Sequence, residues 1–488
     1  MESMKKQMLQ GKRYINLQIS DQDVVGGRFN GFDLHFKLND LDYRSFDIVA
    51  YKQSDDPDTI VYARDRHANF AKQILYGKEF ILSDIVHLHL IHNTDFDLSY
   101  LPLMSSLKPM ILTLHDPFFM GGHCTYHLDC EKWKTHCMDC PYLQIPFAIQ
   151  QDTTAVSFAL KKRVFEQSQI SLLVASEWMR DKVRQSPILQ NKKTYLLPFG
   201  VNQAIFRPAG KEEAREALGL PKDRFTVLLR AEGAYKGTDI ARDALIKLRH
   251  KEPITVLVVS LPGIQLDGLL GGLPKHCIVV EQGWVTDERR LAMLYQACDV
   301  MLMPSRLEAF GVMAIEAMSC GRTVLAIHGT ALPRVIQSPE CGLAVDEKAY
   351  ADALQMLYDH PETLQMHAER SHAYAKEHYS EAHYIDGMLA VYQEVMAHHQ
   401  PGEDAAVVLR QLLTNGPYTK PPALSASWRV TKPLRAAKAA LRAFQNSMRN
   451  SDRVQHTEIL HSASWKLTRP LRAMNGIRKR LKRKGGAQ

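Results

Sequence analysis

Strand-length apolar runs separated by longer mixed segments recur twice along this 488-residue chain, and that alternation leaves few folds open to it. In the first half, Phe46-Asp-Ile-Val-Ala, Ile85-Val-His-Leu-His-Leu, Met110-Ile-Leu-Thr-Leu and Ser171-Leu-Leu-Val-Ala read as strands buried on both faces. In the second half, Phe225-Thr-Val-Leu-Leu, Ile254-Thr-Val-Leu-Val-Val, Ile278-Val-Val, Val300-Met-Leu-Met and Thr323-Val-Leu-Ala-Ile repeat the scheme, with helices expected over 239–250, 289–298 and 310–319. Strands alternating with helices imply parallel, doubly wound α/β sheets, whose ligands sit beyond the carboxyl ends of the strands. Two such domains are expected. The first spans 1–198 and ends at the turn formers of Leu197-Pro-Phe-Gly-Val-Asn; the second spans 199–400, and its last helix is a candidate to cross back onto the first. A Pro- and Gly-containing linker over 401–424 and a tail over 425–488 complete the division.

Charge is distributed as unevenly as structure. The net charge is +8, but 16 Lys and Arg against two acids give residues 421–488 a charge of +14, leaving −6 on the first 420. The tail also repeats itself: Ser425-Ala-Ser-Trp-Arg-Val-Thr-Lys-Pro-Leu-Arg-Ala returns 37 residues later as Ser462-Ala-Ser-Trp-Lys-Leu-Thr-Arg-Pro-Leu-Arg-Ala. Each Pro is placed to open a helix. In the first repeat Leu434, Leu441, Phe444 and Met448 make an apolar stripe beside Arg435, Lys438 and Arg442. A basic amphipathic helical tail suits an anionic membrane surface, where each cation contributes about 1 kcal/mol. No apolar run approaches the roughly 18 residues that span a bilayer, and no apolar segment follows the N-terminal lysines as in a secretory signal. The expected location is cytoplasmic, peripheral on the inner face of the membrane. Cations confined to the tail, rather than interleaved with aromatics on a sheet face, argue against nucleic acid as the partner.

The strongest local signal is Pro304-Ser-Arg-Leu-Glu-Ala-Phe-Gly-Val-Met-Ala-Ile-Glu-Ala-Met-Ser-Cys-Gly, after an expected strand and opening an expected helix. Free amides at Phe310, Gly311 and Val312 would form an anion site. Glu316, about two turns in, could meet a pair of ribose hydroxyls, while Glu308 would face what the phosphate carries. The alternative is structural: Glu308 as an acid favoured by the helix dipole, Glu316 as a solvated helix residue.

These residues resemble the retaining glycosyltransferases of the GT-B fold, family 4, also called group 1. Further landmarks follow in the family's order: Gly26-Gly27 after the first strand, His115-Asp116, Ser176-Glu-Trp-Met, Pro198-Phe-Gly-Val-Asn, Arg230, Lys236-Gly237 and Gly283-Trp284-Val285. The resemblance covers about residues 15–400. It implies two Rossmann-like domains facing across a cleft, and sugar transfer from a UDP- or GDP-sugar with retention. The implied roles are Arg230 and Lys236 on the diphosphate, the amides of Phe310, Gly311 and Val312 on the phosphates, and Glu308 and His115 on the donor sugar. Glu316 would hold the ribose and Trp284-Val285 lie by the nucleobase, with the Gly26-Gly27 loop closing over the diphosphate. The leaving charge would be met by these cations and amides, with no catalytic metal. The tail suggests a lipid-linked saccharide acceptor in assembly of a capsule, exopolysaccharide or lipopolysaccharide. Two departures stand out: Arg28-Phe-Asn where the family has small residues, and Gly329-Thr-Ala-Leu-Pro-Arg334 where it often reads Gly-Gly-x-Pro-Glu.

Cys124, Cys130, Cys137 and Cys140 cluster within an insert over 117–145. Four reduced thiolates there could hold a structural zinc; free thiols and a disulfide are the alternatives.

Overall fold

A computed structural model describes residues 2–9, 11–62, 69–145, 148–249 and 252–415. The basic tail, with its expected membrane-binding helices, lies outside the described residues. Among those residues no helix is long and apolar enough to cross a membrane.

The first sheet contains seven strands, β1 (Ile15–Gln22), β2 (Arg44–Tyr51), β3 (Thr59–Ile60), β4 (Ile85–Leu88), β5 (Met110–Thr113), β6 (Ile170–Val174) and β7 (Thr194–Leu196). They run parallel in the order β3-β2-β1-β4-β5-β6-β7. The second holds β8 (Thr226–Ala231), β9 (Ile254–Ser260), β10 (Cys277–Gly283), β11 (Val300–Met303), β12 (Thr323–Ile327) and β13 (Leu343–Val345), also parallel, in the order β10-β9-β8-β11-β12-β13. Each sheet reverses its winding direction once, between β1 and β4 and between β8 and β11. At such a reversal the two crossover helices leave on opposite faces, so a crevice opens beyond the strand ends. The central strands are apolar and buried throughout: Val227, Leu228 and Leu229 of β8 and Val256, Leu257 and Val258 of β9 are fully covered. A parallel strand with helices on both faces demands that composition.

Two expectations need correction. The helix expected from Phe310 begins at Val312, because Gly311 has φ +99°, outside the helical region, and caps it instead. The stretch read as linker contains a helix, Ala405–Asn415. Ala405 and Leu409 are buried in the core that also holds Phe80, Leu101 and Met104, and the Gly402 amide donates to the Ser106 carbonyl at 2.9 Å. An amphipathic stripe outweighed the Pro-Gly punctuation before it. The preceding helix, Glu381–His398, also packs on the first sheet: its Tyr392 hydroxyl meets Gln18 and His87. Chain crosses between the sheets at two adjacent points, Val201 and Ser380, which are joined by a parallel bridge.

Candidate active site

A cleft of about 810 Å³ lies between the two sets of strand ends. Its floor is aromatic. The Phe199 ring stacks on His115, 5.9 Å between centroids and 3° between planes, and meets Phe310 edge-on at 5.3 Å.

On the second domain's side, two loops are fastened together before any ligand arrives. The loop after β8 approaches the loop after β11 so closely that a Cβ on Gly237 would lie 1.9 Å from the Pro304 carbonyl oxygen. Arg306 completes the joint, its guanidinium donating to Asp239 at 2.8 and 2.9 Å and to the Ala234 carbonyl at 2.8 Å. The joint sets Lys236 Nζ 2.9 Å from Glu308 Oε2, both side chains mostly covered and both lining the cleft. Arg230 lies under the Trp284 ring, 5.7 Å from its centroid, and pairs with Glu232. Gly311 and Val312 put the start of the Val312–Ser319 helix at the same wall. Two cations, a helix N-terminus and a carboxylate on one wall suit an anion joined to a hydroxyl-rich group.

The first domain contributes Gly26, Gly27 and His115. The Gly26 backbone is left-handed at φ +78°, which turns the loop back over the cleft. Burial holds the His115 imidazole down at about 3, with the His92 charge working the same way and Asp116 against it. His115 is therefore neutral near pH 7.

Of the residues singled out in the sequence, His115, Gly26, Gly27, Arg230, Lys236, Trp284, Val285, Glu308, Phe310, Gly311 and Val312 line this one cleft. Glu316 lies behind it. Its carboxylate is fully buried, one oxygen accepting from the Tyr295 hydroxyl at 2.7 Å and the other from Arg28 of the facing loop. The unusual residue after the glycine pair thus covers the carboxylate expected to meet a ribose.

The cysteines do not join the cleft. All four are free and half-buried, and among the described residues no three His, Cys, Asp or Glu side chains are grouped as metal ligands. The buried amine of Lys161 donates to the carbonyls of Phe118, Gly121 and Gly122 at 2.6, 2.9 and 3.1 Å, electrostatically coupled to Cys124 and Cys137. Burial pulls the Lys161 amine down to about 7. Burial pushes the Cys124 thiol up to about 12.

Several cleft residues had no warning in the motifs, among them Asp33 and Glu288, which add acid to the cleft, and Tyr126, which brings the Cys-rich insert to its wall. His89, behind His115, had one: His87 and His89 are two apart in a strand-like run, hence on one face of the sheet.

Comparison with known proteins agrees with this fold. Residues 224–360 match the family described as Glycosyl transferases group 1. Over 177 residues the chain is 33% identical to D-inositol 3-phosphate glycosyltransferase of Arthrobacter sp. (strain FB24), covering 34% of this chain and 42% of that one. The chain spans about half the length of the curated relatives it matches. Among solved structures, sucrose-phosphate synthase of Thermosynechococcus elongatus superposes with a TM-score of 0.59 at 20% identity, over 79% of this chain and 100% of the other. The Anabaena protein HepE, in complex with UDP, also gives 0.59, at 15% identity over 78% of this chain and 100% of that one.

Proposed function

We propose that this chain, a GT-B protein whose residues 224–360 form a group 1 glycosyl transferase domain, moves a sugar from a nucleotide-sugar donor to a saccharide acceptor with retention. The observation that carries this reading is the fastened pair Lys236–Glu308 beside Arg230 and the Val312–Ser319 N-terminus, opposite a neutral His115. Lys236, Arg230 and the first helical amides hold the diphosphate and take up its charge as the glycosidic bond breaks. That is where preorganised donors lower a barrier most. Glu308 and His115 bond the sugar hydroxyls from opposite walls, and Trp284-Val285 flank the base. Glu316 receives the ribose once Arg28 gives up its oxygen. The UDP bound by HepE supports a UDP-sugar, and the cations and amides of the wall suit the diphosphate of a UDP- or GDP-sugar alike.

For the acceptor we read a lipid-linked saccharide of cell-surface polysaccharide assembly, met by a protein peripheral on the membrane. Its support is the repeated basic tail and an apolar lip on the acceptor side, where Val24, Val25 and Phe36 line the cleft yet are 42, 40 and 39% exposed. The names of the curated relatives supply the competing acceptor, an inositol phosphate.

The test is a panel of UDP-, GDP-, ADP- and dTDP-sugars, read by thermal shift and slow hydrolysis. One donor should stabilise the chain by several degrees and be hydrolysed. With that donor, transfer to short-chain polyprenyl diphosphate saccharides should exceed transfer to inositol 3-phosphate, and the reverse ranking would replace the acceptor reading. No response to any sugar nucleotide, with the chain folded, would remove the donor site.

A further inference from the structure

Beneath the cleft lies a set of buried polar side chains that the proposed reaction does not use directly. His87 and His89 are fully buried, with ring centroids 4.0 Å apart. An imidazole so enclosed is neutral and must satisfy one donor and one acceptor nitrogen. His89 Nε2 meets Gln18 Oε1 at 2.9 Å; a carboxamide oxygen only accepts, so the proton is on Nε2. His89 Nδ1 then holds a lone pair, and what it faces, at 3.1 Å, is Nε2 of His115. Gln18 is oriented by its own amide, which donates to the Tyr392 hydroxyl at 2.9 Å and to Asn16 Oδ1 at 2.5 Å. The Tyr392 hydroxyl donates to His87 Nδ1 at 2.8 Å, and His87 Nε2 donates to Thr113 Oγ1 at 2.6 Å. Every step runs in one sense.

We infer that His89, held by Gln18 and Tyr392, is a positioning residue that fixes His115 as its Nε2–H tautomer, leaving the Nδ1 lone pair for the cleft. Half-buried His115 lines that cleft with its ring plane set by Phe199 and by Phe29, 5.5 Å away. A lone pair there accepts from a hydroxyl of the donor sugar, whereas the other tautomer would present an N–H and favour a carbonyl or ether oxygen. Tyr392 stands in the middle of this network, so a helix far along the chain, Glu381–His398, orients Gln18 of the first sheet. The hydroxyl as ligand rests on the proposed function; the tautomer does not.

The experiment uses the full chain labelled with 15N-histidine, with the His115 resonances assigned by their disappearance in His115→Gln. Long-range 1H–15N spectra should give His115 a protonated Nε2 and an unprotonated Nδ1. In His89→Leu the two nitrogens should move toward averaged shifts. Turnover should fall roughly tenfold, the scale of one mismatched hydrogen bond, with the donor KM and the Kd for the nucleoside diphosphate unchanged. His89→Asn, whose Oδ1 accepts near the former Nδ1 position, should return both the shifts and the turnover. A protonated Nδ1 in the unmutated chain overturns the inference, and so does a His115 tautomer indifferent to His89→Leu. The first spectrum decides even where His89→Leu does not fold. An Nε2–H tautomer in a chain that binds no sugar nucleotide leaves the relay standing and removes the function.

Discussion

Lys236 and Glu308 meet at 2.9 Å with the cleft open above them, so each is placed by the other before a ligand enters. Lys236→Ala should lower sugar transfer about a hundredfold, the usual cost of losing one preplaced charge at a developing anion, while Tm moves by no more than a degree or two. Steady-state rates beside a melting curve separate the two; an unchanged rate would take Lys236 out of the site. Asp33 offers a second handle. Burial, reinforced by Glu288 and Glu381 against Arg28 and Lys37, holds its carboxyl at about 6 instead of 3.8. Between those values the folded chain binds a proton that the unfolded chain has released, so this group's contribution to stability falls as pH rises through that window. Asp33→Asn should therefore raise Tm at pH 8 and change it little at pH 4. A uniform shift at both would mean that Asp33 is not held protonated.

Elements rather than single residues carry the precision of the second domain's wall. Gly237 is left-handed at φ +68° and leaves no room for a side chain against Pro304. Gly237→Ala should cost about 3 kcal/mol in denaturant unfolding and abolish donor binding as the two loops part. The docked Ala405–Asn415 helix makes a paired prediction. Leu409→Ala, at 7% exposure, should destabilise by about 2–3 kcal/mol, whereas Val407→Ala, at 54%, should cost almost nothing. Equal effects would mean that the helix is not packed as described. This is also the scale at which legibility in the sequence divides. Nine of the thirteen strands could be read because buried parallel strands leave an apolar signature, as in Ile254-Thr-Val-Leu-Val-Val; β1, with Asn16, Gln18 and Ser20 buried along it, and the short β3, β7 and β13 carry no such run. The Glu308–Glu316 spacing and the glycines flagged the strand-end loops, where backbone geometry itself demands particular residues. Pairings that only tertiary placement creates could not be read. Arg28 finds Glu316 across 288 residues, and Gln18 finds Tyr392 across 374. The 405–415 helix was hidden by Pro401 and Gly402, although Val408, Leu409, Leu412 and Leu413 carried its stripe. Cysteine spacing left zinc, free thiols and a disulfide open, because it says nothing of what packs beside the thiols, such as the Lys161 amine.

At the scale of the whole molecule, the first sheet is not finished by the residues that form it. Helices from 381 to 415 cover it, and Tyr392 joins Gln18 and His87 inside it. A fragment of residues 1–206 should then fail to fold cooperatively, with poor amide dispersion and loss of a sharp unfolding transition. A 379–415 peptide added in trans should restore both. A fragment that folds sharply alone would show that the late helices are a covering and not a component.

That arrangement orders events in time as well as in space. During synthesis the strands that end at Leu196 leave the ribosome long before Glu381 does, and roughly 200 further residues, at ribosomal rates, delay their covering by ten seconds or more. Through that interval the second domain can complete its own sheet while the first waits with an uncovered flank, a natural client for a chaperone. The domain made first is the one finished last, so a ribosome that stops before residue 381 releases a chain with half its cleft assembled and the other half unable to close.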